Sequence, residues 1–214
     1  MTAETRSTPD YLEIPLSRFL EHVASGESAP GGGAAAAVAV ALAASLSSMS
    51  VILSSDHLPD AAWLISRTDR LRQDVARLAQ ADAEAYRRVI AARHAQDQSV
   101  QAALSEAADV PLAVAEVGAE IADVAARLVT EDGNPNLKGD AIAAVLLAEA
   151  GVRATTALVK INLSAAGLED ERLNRADELA DTAAAARQAV QGVELRIEVH
   201  GCPRDRRESP RRRP

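Results

Sequence analysis

The chain contains very little cysteine, histidine or aromatic side chain. Its 214 residues include one cysteine, Cys202, four histidines and 2% aromatic residues. A single cysteine excludes an intrachain disulfide and a cysteine-based zinc site. No two histidines have the spacing of metal ligands on a helix, so we expect no metal site. Alanine, leucine, glutamate and arginine, which are abundant here, favour helices over the strands of a β-sandwich.

Basic residues are scarce outside the C-terminal end. The formal net charge is -8, whereas residues 193–214 hold seven arginines against four acidic residues. The remaining acidic body does not suit broad nucleic-acid binding, which needs clustered lysine and arginine. We therefore expect no nucleic-acid partner. Residues 1–192 are predicted to form one helical domain, followed by an Arg-rich and flexible tail over 193–214.

Two apolar features bear on membrane targeting. The N-terminus lacks the apolar core of a secretory signal, which predicts a cytoplasmic protein. Residues 30–55 carry no charge and are long enough to cross a bilayer. However, the flanking charges are Glu27 and Asp56 rather than basic residues, and aromatic anchors are missing. A helix buried in the centre of a bundle is therefore favoured, with no membrane partner.

Apolar residues recur at helical spacing along most of the chain. The pattern predicts an all-α bundle of about six mostly antiparallel long helices. Two Ala-rich helices, over about residues 33–54 and 141–166, are predicted to be buried because they are apolar nearly all round. Pro111 predicts a kink or a restart between two helical segments. A short first helix, with Pro15 in its first turn, is predicted to present an apolar stripe of Leu16, Phe19, Leu20 and Val23.

Three consecutive glycines, Gly31, Gly32 and Gly33, precede the first Ala-rich helix. The absence of a preceding strand and of a Gly-Lys-Ser/Thr ending excludes the common nucleotide-binding loops. Two interpretations remain open. Glycines at a helix N-terminus expose backbone N–H groups to an anion, or they allow neighbouring helices to approach closely.

Four segments in the same order resemble one known family. They are the PGGG turn with its Ala-rich helix, DAEAYRRVIAA at 82–92, AADVPLAVAEVGAEI at 107–121, and GNPNLKGDAIAAVLLAEAGVRATTALVKINL at 133–163. Over about residues 12–190 the chain is similar to the formimidoyltetrahydrofolate cyclodeaminase / methenyltetrahydrofolate cyclohydrolase family. The resemblance implies an all-helical homodimer with a folate site near the glycine turn. It also implies a tetrahydrofolate derivative as substrate and no metal or redox cofactor.

The reactions of this family pass through one carbon held between N5 and N10 of tetrahydrofolate. The methenyl form is a cation, so a carboxylate would stabilise it and could deprotonate the attacking water. Asp82 and Asp140 are the candidate catalytic residues. Asp82 has alanine neighbours that leave room for a ligand, but from the residues alone a solvated or ion-paired carboxylate is the alternative interpretation. Asp140 precedes a buried helix, where N-capping explains it equally well.

The remaining site candidates concern binding. The folate glutamate tail is anionic and suits either the amides of Gly31, Gly32 and Gly33 or the side chains of Lys138 and Arg153. Asn134 and Asn136 either build a turn through side-chain-to-backbone hydrogen bonds or contact the pterin.

The chain departs from the family pattern at several positions. Ala34 and Gly139 stand where the family commonly has serine, Lys160 stands where it has arginine, and residues 53–63 lack its basic segment. These departures motivate an alternative function, that of a catalytically degenerate member that serves as an interaction or assembly protein.

Overall fold

The computed structural model describes residues 10–95, 99–130 and 134–194. These residues form six α-helices and one 3₁₀ turn, Pro135–Leu137, which confirms the all-α bundle. The helices are α1 (Leu16–Ala24), α2 (Gly32–Leu53), α3 (Ala61–Ala95), α4 (Ser99–Thr130), α5 (Lys138–Ala166) and α6 (Glu171–Glu194). The predicted Arg-rich tail lies almost wholly outside the described residues.

The centre of the bundle is formed by α2, α4 and α5. Helix α5 packs most extensively on α4, and α2 packs against α3 and α5. Small residues allow these helices to approach closely. A Cβ added at Gly151 would lie 2.5 Å from a methyl carbon of Val40, and one added at Gly118 would lie 2.6 Å from a methyl carbon of Val152. These glycines are therefore required by the packing distance rather than by the backbone conformation.

Gly151→Ala is expected to destabilise the fold. Alanine favours a helix over glycine by about 1 kcal/mol, but the added methyl group meets fully buried Val40, and overpacking costs about 1–3 kcal/mol. The matched control is Gly192→Ala in α6, where an added Cβ meets nothing within 4 Å. Urea unfolding should show a lower midpoint for Gly151→Ala and an unchanged or higher one for Gly192→Ala. Equal midpoints for the two variants would contradict the packing explanation.

Several local predictions are corrected by the structure. Pro111 lies inside one continuous helix, α4, so it neither ends nor restarts a helix. Pro15 precedes α1 instead of lying in its first turn, and of the predicted apolar stripe only Phe19 is buried. The second Ala-rich helix ends as predicted, with Gly167 in the left-handed conformation at φ 68°.

One face of helix α2 is buried in the bundle, and the opposite face is exposed to solvent. Its inner face includes fully buried Val40 and Ala44, whereas Leu42 is 52% exposed and Leu53 is 55% exposed. By length and composition alone, α2 and the segment Pro135–Ala166 could each cross a membrane. A substantial fraction of the residues of each segment is buried inside the bundle, as in core helices of this composition.

Candidate functional site

A cavity of about 300 Å³ lies where α2 begins. It is bounded by the turn before α2, the middle of α3, one residue of α4 and the C-terminal part of α5. The Ala29–Pro30 peptide bond in that turn is cis. The lining residues are Ser28, Ala29, Gly31, Gly32, Gly33, Asp82, Tyr86, Ala107, Leu158, Ile161 and Asn162. Three of the four segments that carry the family resemblance therefore meet at this cavity, together with the end of the fourth.

Gly33 and Asp82 are in direct contact across the α2–α3 interface. A Cβ added at Gly33 would lie 2.0 Å from Oδ1 of Asp82 and 2.4 Å from its carboxyl carbon. Carbon and oxygen atoms that are not bonded do not approach this closely, so Asp82 occupies the space that any other side chain at position 33 would need. The lack of a side chain at Gly33 thus explains how α3 can present a carboxylate at the start of α2.

The Asp82 carboxylate is partly buried and has an unusual proton affinity. Burial raises its pKa from the ordinary value of 3.8 to about 6, while a hydrogen bond donated by the backbone N–H of Ala34 opposes the rise. The hydroxyl expected at position 34 is replaced by a fully buried methyl group. The family's commonly observed serine is therefore not required for the backbone contact that fixes Asp82.

Among the described residues that line the cavity, Asp82 is the only acidic one, and none of them is a lysine, arginine or histidine. At neutral pH a carboxyl group with a pKa near 6 is mostly ionised. In a small, partly apolar cavity this unpaired negative charge favours a cationic ligand, because the charge is less screened than in water. The lining therefore discriminates by charge against anionic groups deep in the cavity.

Besides Ser28 in the turn before α2, two polar lining residues on the helices were missed as site candidates. Tyr86 lies one helical turn after Asp82 and is 40% exposed. Asn162 projects from α5, and its Nδ2 donates a hydrogen bond of 2.8 Å to the carbonyl oxygen of Ala107. Both occur within segments that resemble the family, so the signal was present in the sequence. Periodicity alone does not separate such residues from ordinary polar positions on a helix.

The loop before α5 is not at this cavity. The backbone N–H of Asn134 donates to Oγ of Ser54 at 2.9 Å, which fixes the loop at the C-terminal end of α2. The 22 residues of α2 separate the two places by about 33 Å along the helix. The side chain of Asn134 accepts a hydrogen bond from the N–H of Asn136 at 3.0 Å, as in the turn-building interpretation.

The positions of the other predicted site residues in the loop and in α5 follow from this placement. Asp140 is the third residue of α5 rather than its N-cap, which is Leu137, so the capping interpretation is wrong. Lys138, the first residue of α5, and Asp140 are absent from the cavity lining. Arg153 is exposed and forms a 3.7 Å ion pair with Glu149. Within one chain, these residues and the two asparagines do not share a site with Asp82.

A larger groove, of about 570 Å³, lies between α3, α4 and α6. Its charged side chains include opposite pairs, such as Arg67 with Glu120 and Arg175 with Glu116. Charges that already neutralise one another provide little driving force for binding an ion. The cavity at Asp82 is therefore the better candidate for chemistry.

The fold and the cavity define a class, namely an all-α protein with a partly buried carboxylate at a Gly-rich helix N-terminus. The sequence profile of the formiminotransferase-cyclodeaminase family matches residues 15–194. A methenyltetrahydrofolate cyclohydrolase from Methylorubrum extorquens AM1 is 33% identical over 196 residues, covering 82% of this chain and 93% of the relative. The chain belongs to the formiminotransferase-cyclodeaminase family, which confirms the resemblance described above.

A solved structure supports the same assignment. The crystal structure of formiminotetrahydrofolate cyclodeaminase from Thermotoga maritima matches with a TM-score of 0.78 and 29% sequence identity. The match covers 85% of this chain and 96% of that protein. The range matched by the family profile, residues 15–194, includes every element that bounds the cavity.

Proposed function

We propose that this chain is an enzyme of folate one-carbon metabolism that hydrolyses the methenyl bridge between N5 and N10 of tetrahydrofolate. The observation that carries the proposal is the Asp82 carboxylate, which has no basic side chain beside it among the described residues of the cavity lining. The methenyl group is a delocalised cation, and the cavity offers it a single opposite charge. The similarity to a methenyltetrahydrofolate cyclohydrolase over 82% of the chain supports this choice.

In the proposed reaction, Asp82 first stabilises the bridge cation and then accepts a proton. Water attacks the bridging carbon, and the ionised carboxylate takes one proton from that water. The bond from the carbon to N5 then breaks, and the second proton of the water molecule moves from the hydroxyl oxygen to N5 as the formyl C=O forms. The products are 10-formyltetrahydrofolate and one proton, which Asp82 releases to solvent. A pKa near 6 suits this exchange because it lies close to neutral pH.

The remaining lining residues suit the head of a folate. A volume of about 300 Å³ is at the small end of ligand cavities, so the glutamate tail would extend outside it. Tyr86 offers an aromatic face for stacking on the pterin ring.

The test is the loss of methenyltetrahydrofolate absorbance with the purified protein, measured beside calorimetric binding of a folate. Acceleration over the buffer rate that saturates with substrate supports the proposal. Saturable folate binding without turnover would limit the chain to folate binding. Neither turnover nor binding would overturn the proposal and favour the alternative role as an interaction or assembly protein.

A second reaction has its own support. The solved structure matched at a TM-score of 0.78 is named a formiminotetrahydrofolate cyclodeaminase. Cyclisation of 5-formiminotetrahydrofolate with release of ammonia forms the same methenyl cation, so the Asp82 charge would serve it equally. Ammonia release from 5-formiminotetrahydrofolate distinguishes this reaction from hydrolysis of the methenyl bridge.

We also propose that the chain acts as a homodimer through the open face of α2. Val38, Leu42, Ser45, Met49 and Ile52 are spaced alternately by four and three residues, which is the spacing of a helix-pairing seam. Leu42 is 52% exposed and Ile52 is 49% exposed. A second copy of the same uncharged helix would cover this face without burying a charge.

Leu42→Glu is expected to convert the dimer to a monomer, because a charge would have to be buried at the centre of the seam. Sedimentation velocity at micromolar concentration measures the change. Leu146→Glu is the control, since Leu146 is also exposed, at 42%, but lies on α5. A wild-type monomer, or a dimer that survives Leu42→Glu and not Leu146→Glu, would contradict the α2 seam.

An antiparallel seam would place the loop before α5 of one copy beside the cavity of the other copy. The family resemblance includes this loop, yet it is fixed at the end of α2 opposite to the cavity. If a twofold axis passes near Leu42, the C-terminal end of one α2 lies beside the Gly31 end of the other. Spin labels at exposed Ser55 should then be about 30 Å apart or more, whereas a parallel seam would bring them to within about 15 Å.

A further inference from the structure

Pro111 lies in the interior of α4, where proline is unfavourable. The ring leaves residue 111 without a backbone N–H, so it cannot donate the hydrogen bond that the carbonyl four residues earlier would normally accept. That carbonyl belongs to Ala107, which lines the candidate active site. The proline therefore leaves the Ala107 carbonyl, at the cavity wall, without its usual donor from within the helix.

Asn162 takes the place of the missing donor. Its Nδ2 donates to the Ala107 carbonyl oxygen at 2.8 Å, from α5 to α4. Because a carbonyl oxygen only accepts hydrogen bonds, this contact fixes which end of the amide is the nitrogen. The other end, Oδ1, receives no hydrogen bond from the parts of the chain that the structure describes. Asn162 itself lines the cavity beside Asp82.

We propose that Pro111 is a positioning residue that acts through Asn162. By leaving the Ala107 carbonyl free, it holds the Asn162 amide in one orientation, with Oδ1 as an acceptor for an N–H group of the ligand. The inference rests on the proposed function for its ligand, since the reduced pterin ring of a folate carries several N–H donors. It assigns the cavity a neutral acceptor for recognising the ring, separate from the Asp82 charge that faces the one-carbon bridge.

Pro111 and Asn162 are 51 positions apart in the sequence. Without Pro111, the N–H of residue 111 would compete for the Ala107 carbonyl, and the amide would be free to rotate. Without Asn162, the proline would leave a polar group at the cavity wall with only solvent or ligand as a partner. Pro111 and Asn162 therefore act together, and their substitutions are expected to have coupled effects on ligand affinity.

The first test compares Pro111→Ala and Asn162→Ala with the wild type in calorimetric binding of 5-formyltetrahydrofolate. Each single variant is expected to bind about tenfold more weakly, the effect of one ligand hydrogen bond. The double variant is expected to bind no more weakly than Asn162→Ala alone. Wild-type affinity in Pro111→Ala, or losses that multiply in the double variant, would overturn the coupling.

Gln101→Ala provides a matched structural control. The side chain of Gln101 donates a hydrogen bond of 2.8 Å from α4 to the carbonyl oxygen of Ala166 on α5, and Gln101 is not among the lining residues. The Gln101→Ala substitution therefore removes the same kind of contact between the same two helices without changing the cavity lining. Unchanged folate affinity is expected, and a tenfold loss in this control as well would attribute the effects to helix packing.

The orientation of the amide can be tested without a ligand. In the wild type, the side-chain NH₂ resonances of Asn162 should exchange slowly with solvent, and in Pro111→Ala they should exchange faster. If the wild type binds no folate but shows this difference, the proposed function fails while the positioning effect stands. If folate binds and the Asn162 resonances are identical in both proteins, the positioning effect is overturned.

Discussion

Asp82→Asn is expected to abolish turnover of methenyltetrahydrofolate while making the folded protein more stable at neutral pH. The amide has nearly the same shape as the carboxylate and can still accept the hydrogen bond from the Ala34 N–H. It has no negative charge for the bridge cation and cannot take a proton from water. Loss of a general base and of a charge at the reacting carbon predicts a decrease in kcat of about 1000-fold or more.

The stability gain follows from the direction of the pKa shift. The pKa of Asp82 is raised from 3.8 to about 6 in the folded protein, so the folded state binds the proton more tightly than the unfolded state does. Its contribution to stability is therefore fully present below about pH 4 and is lost as pH rises through 6. A shift of this size corresponds to up to about 3 kcal/mol. Asparagine does not ionise and avoids the loss.

Thermal unfolding at several pH values provides the measurement. The melting temperatures of the wild type and Asp82→Asn should be similar near pH 4 and diverge towards pH 7, with the variant higher. The control is Asp74→Asn on the same helix. Asp74 is exposed, and its ion pair with Arg70, at 3.7 Å, lies on the surface. The substitution should change turnover and melting little. A less stable Asp82→Asn at pH 7 would contradict the burial of an ionised carboxylate.

The same experiment separates catalysis from helix capping. Asp82 accepts the N–H of Ala34 in the first turn of α2, so a purely structural role as a cap is physically reasonable. A cap is preserved by asparagine, which is a good capping residue. An active Asp82→Asn would therefore assign Asp82 to capping alone. For the wild type, the acid limb of kcat/KM is expected near pH 6, with activity rising as the carboxyl ionises.

The fold could be predicted from the sequence because its determinants are local. Helical periodicity and the Gly167 stop gave six helices close to their observed bounds. Pro111 was the exception, since a proline usually ends a helix unless its neighbours satisfy the freed carbonyl. Here the neighbour is Asn162, on a helix more than 50 residues away in the chain. A pairing of this kind is not visible in one segment read alone.

The site could be predicted only in part, for a related reason. Resemblance identified the glycine turn and Asp82, and these do meet. It also implies Asn134, Asp140 and Arg153 as site residues, but motifs of one family need not meet in one pocket of one chain. Sequence order does not say at which end of a long helix a loop lies. The bond from Asn134 to Ser54 places this loop at the far end of α2.

Gly33→Ala is expected to reduce catalysis strongly, although by less than the loss of the Asp82 carboxylate itself. The new Cβ would lie 2.0 Å from Oδ1 of Asp82, so the carboxylate must move by more than 1 Å. A displacement of this size at a catalytic group reduces the rate by about 100-fold. Stability should change much less, since alanine is favoured over glycine in a helix by about 1 kcal/mol and the displaced carboxylate moves towards solvent.

Gly32→Ala is the matched control for this prediction. Gly32 also lines the cavity, but an added Cβ there meets nothing within 4 Å and leaves Asp82 in place. The pH profile then distinguishes displacement of Asp82 from simple filling of the cavity. In Gly33→Ala the acid limb of kcat/KM should move from near pH 6 towards the ordinary carboxyl range, because a displaced Asp82 is better solvated. In Gly32→Ala the limb should stay near 6 even if KM rises. A Gly33→Ala enzyme with wild-type kcat would show that Asp82 can act from another position, and the tight Gly33 contact would then have no part in catalysis.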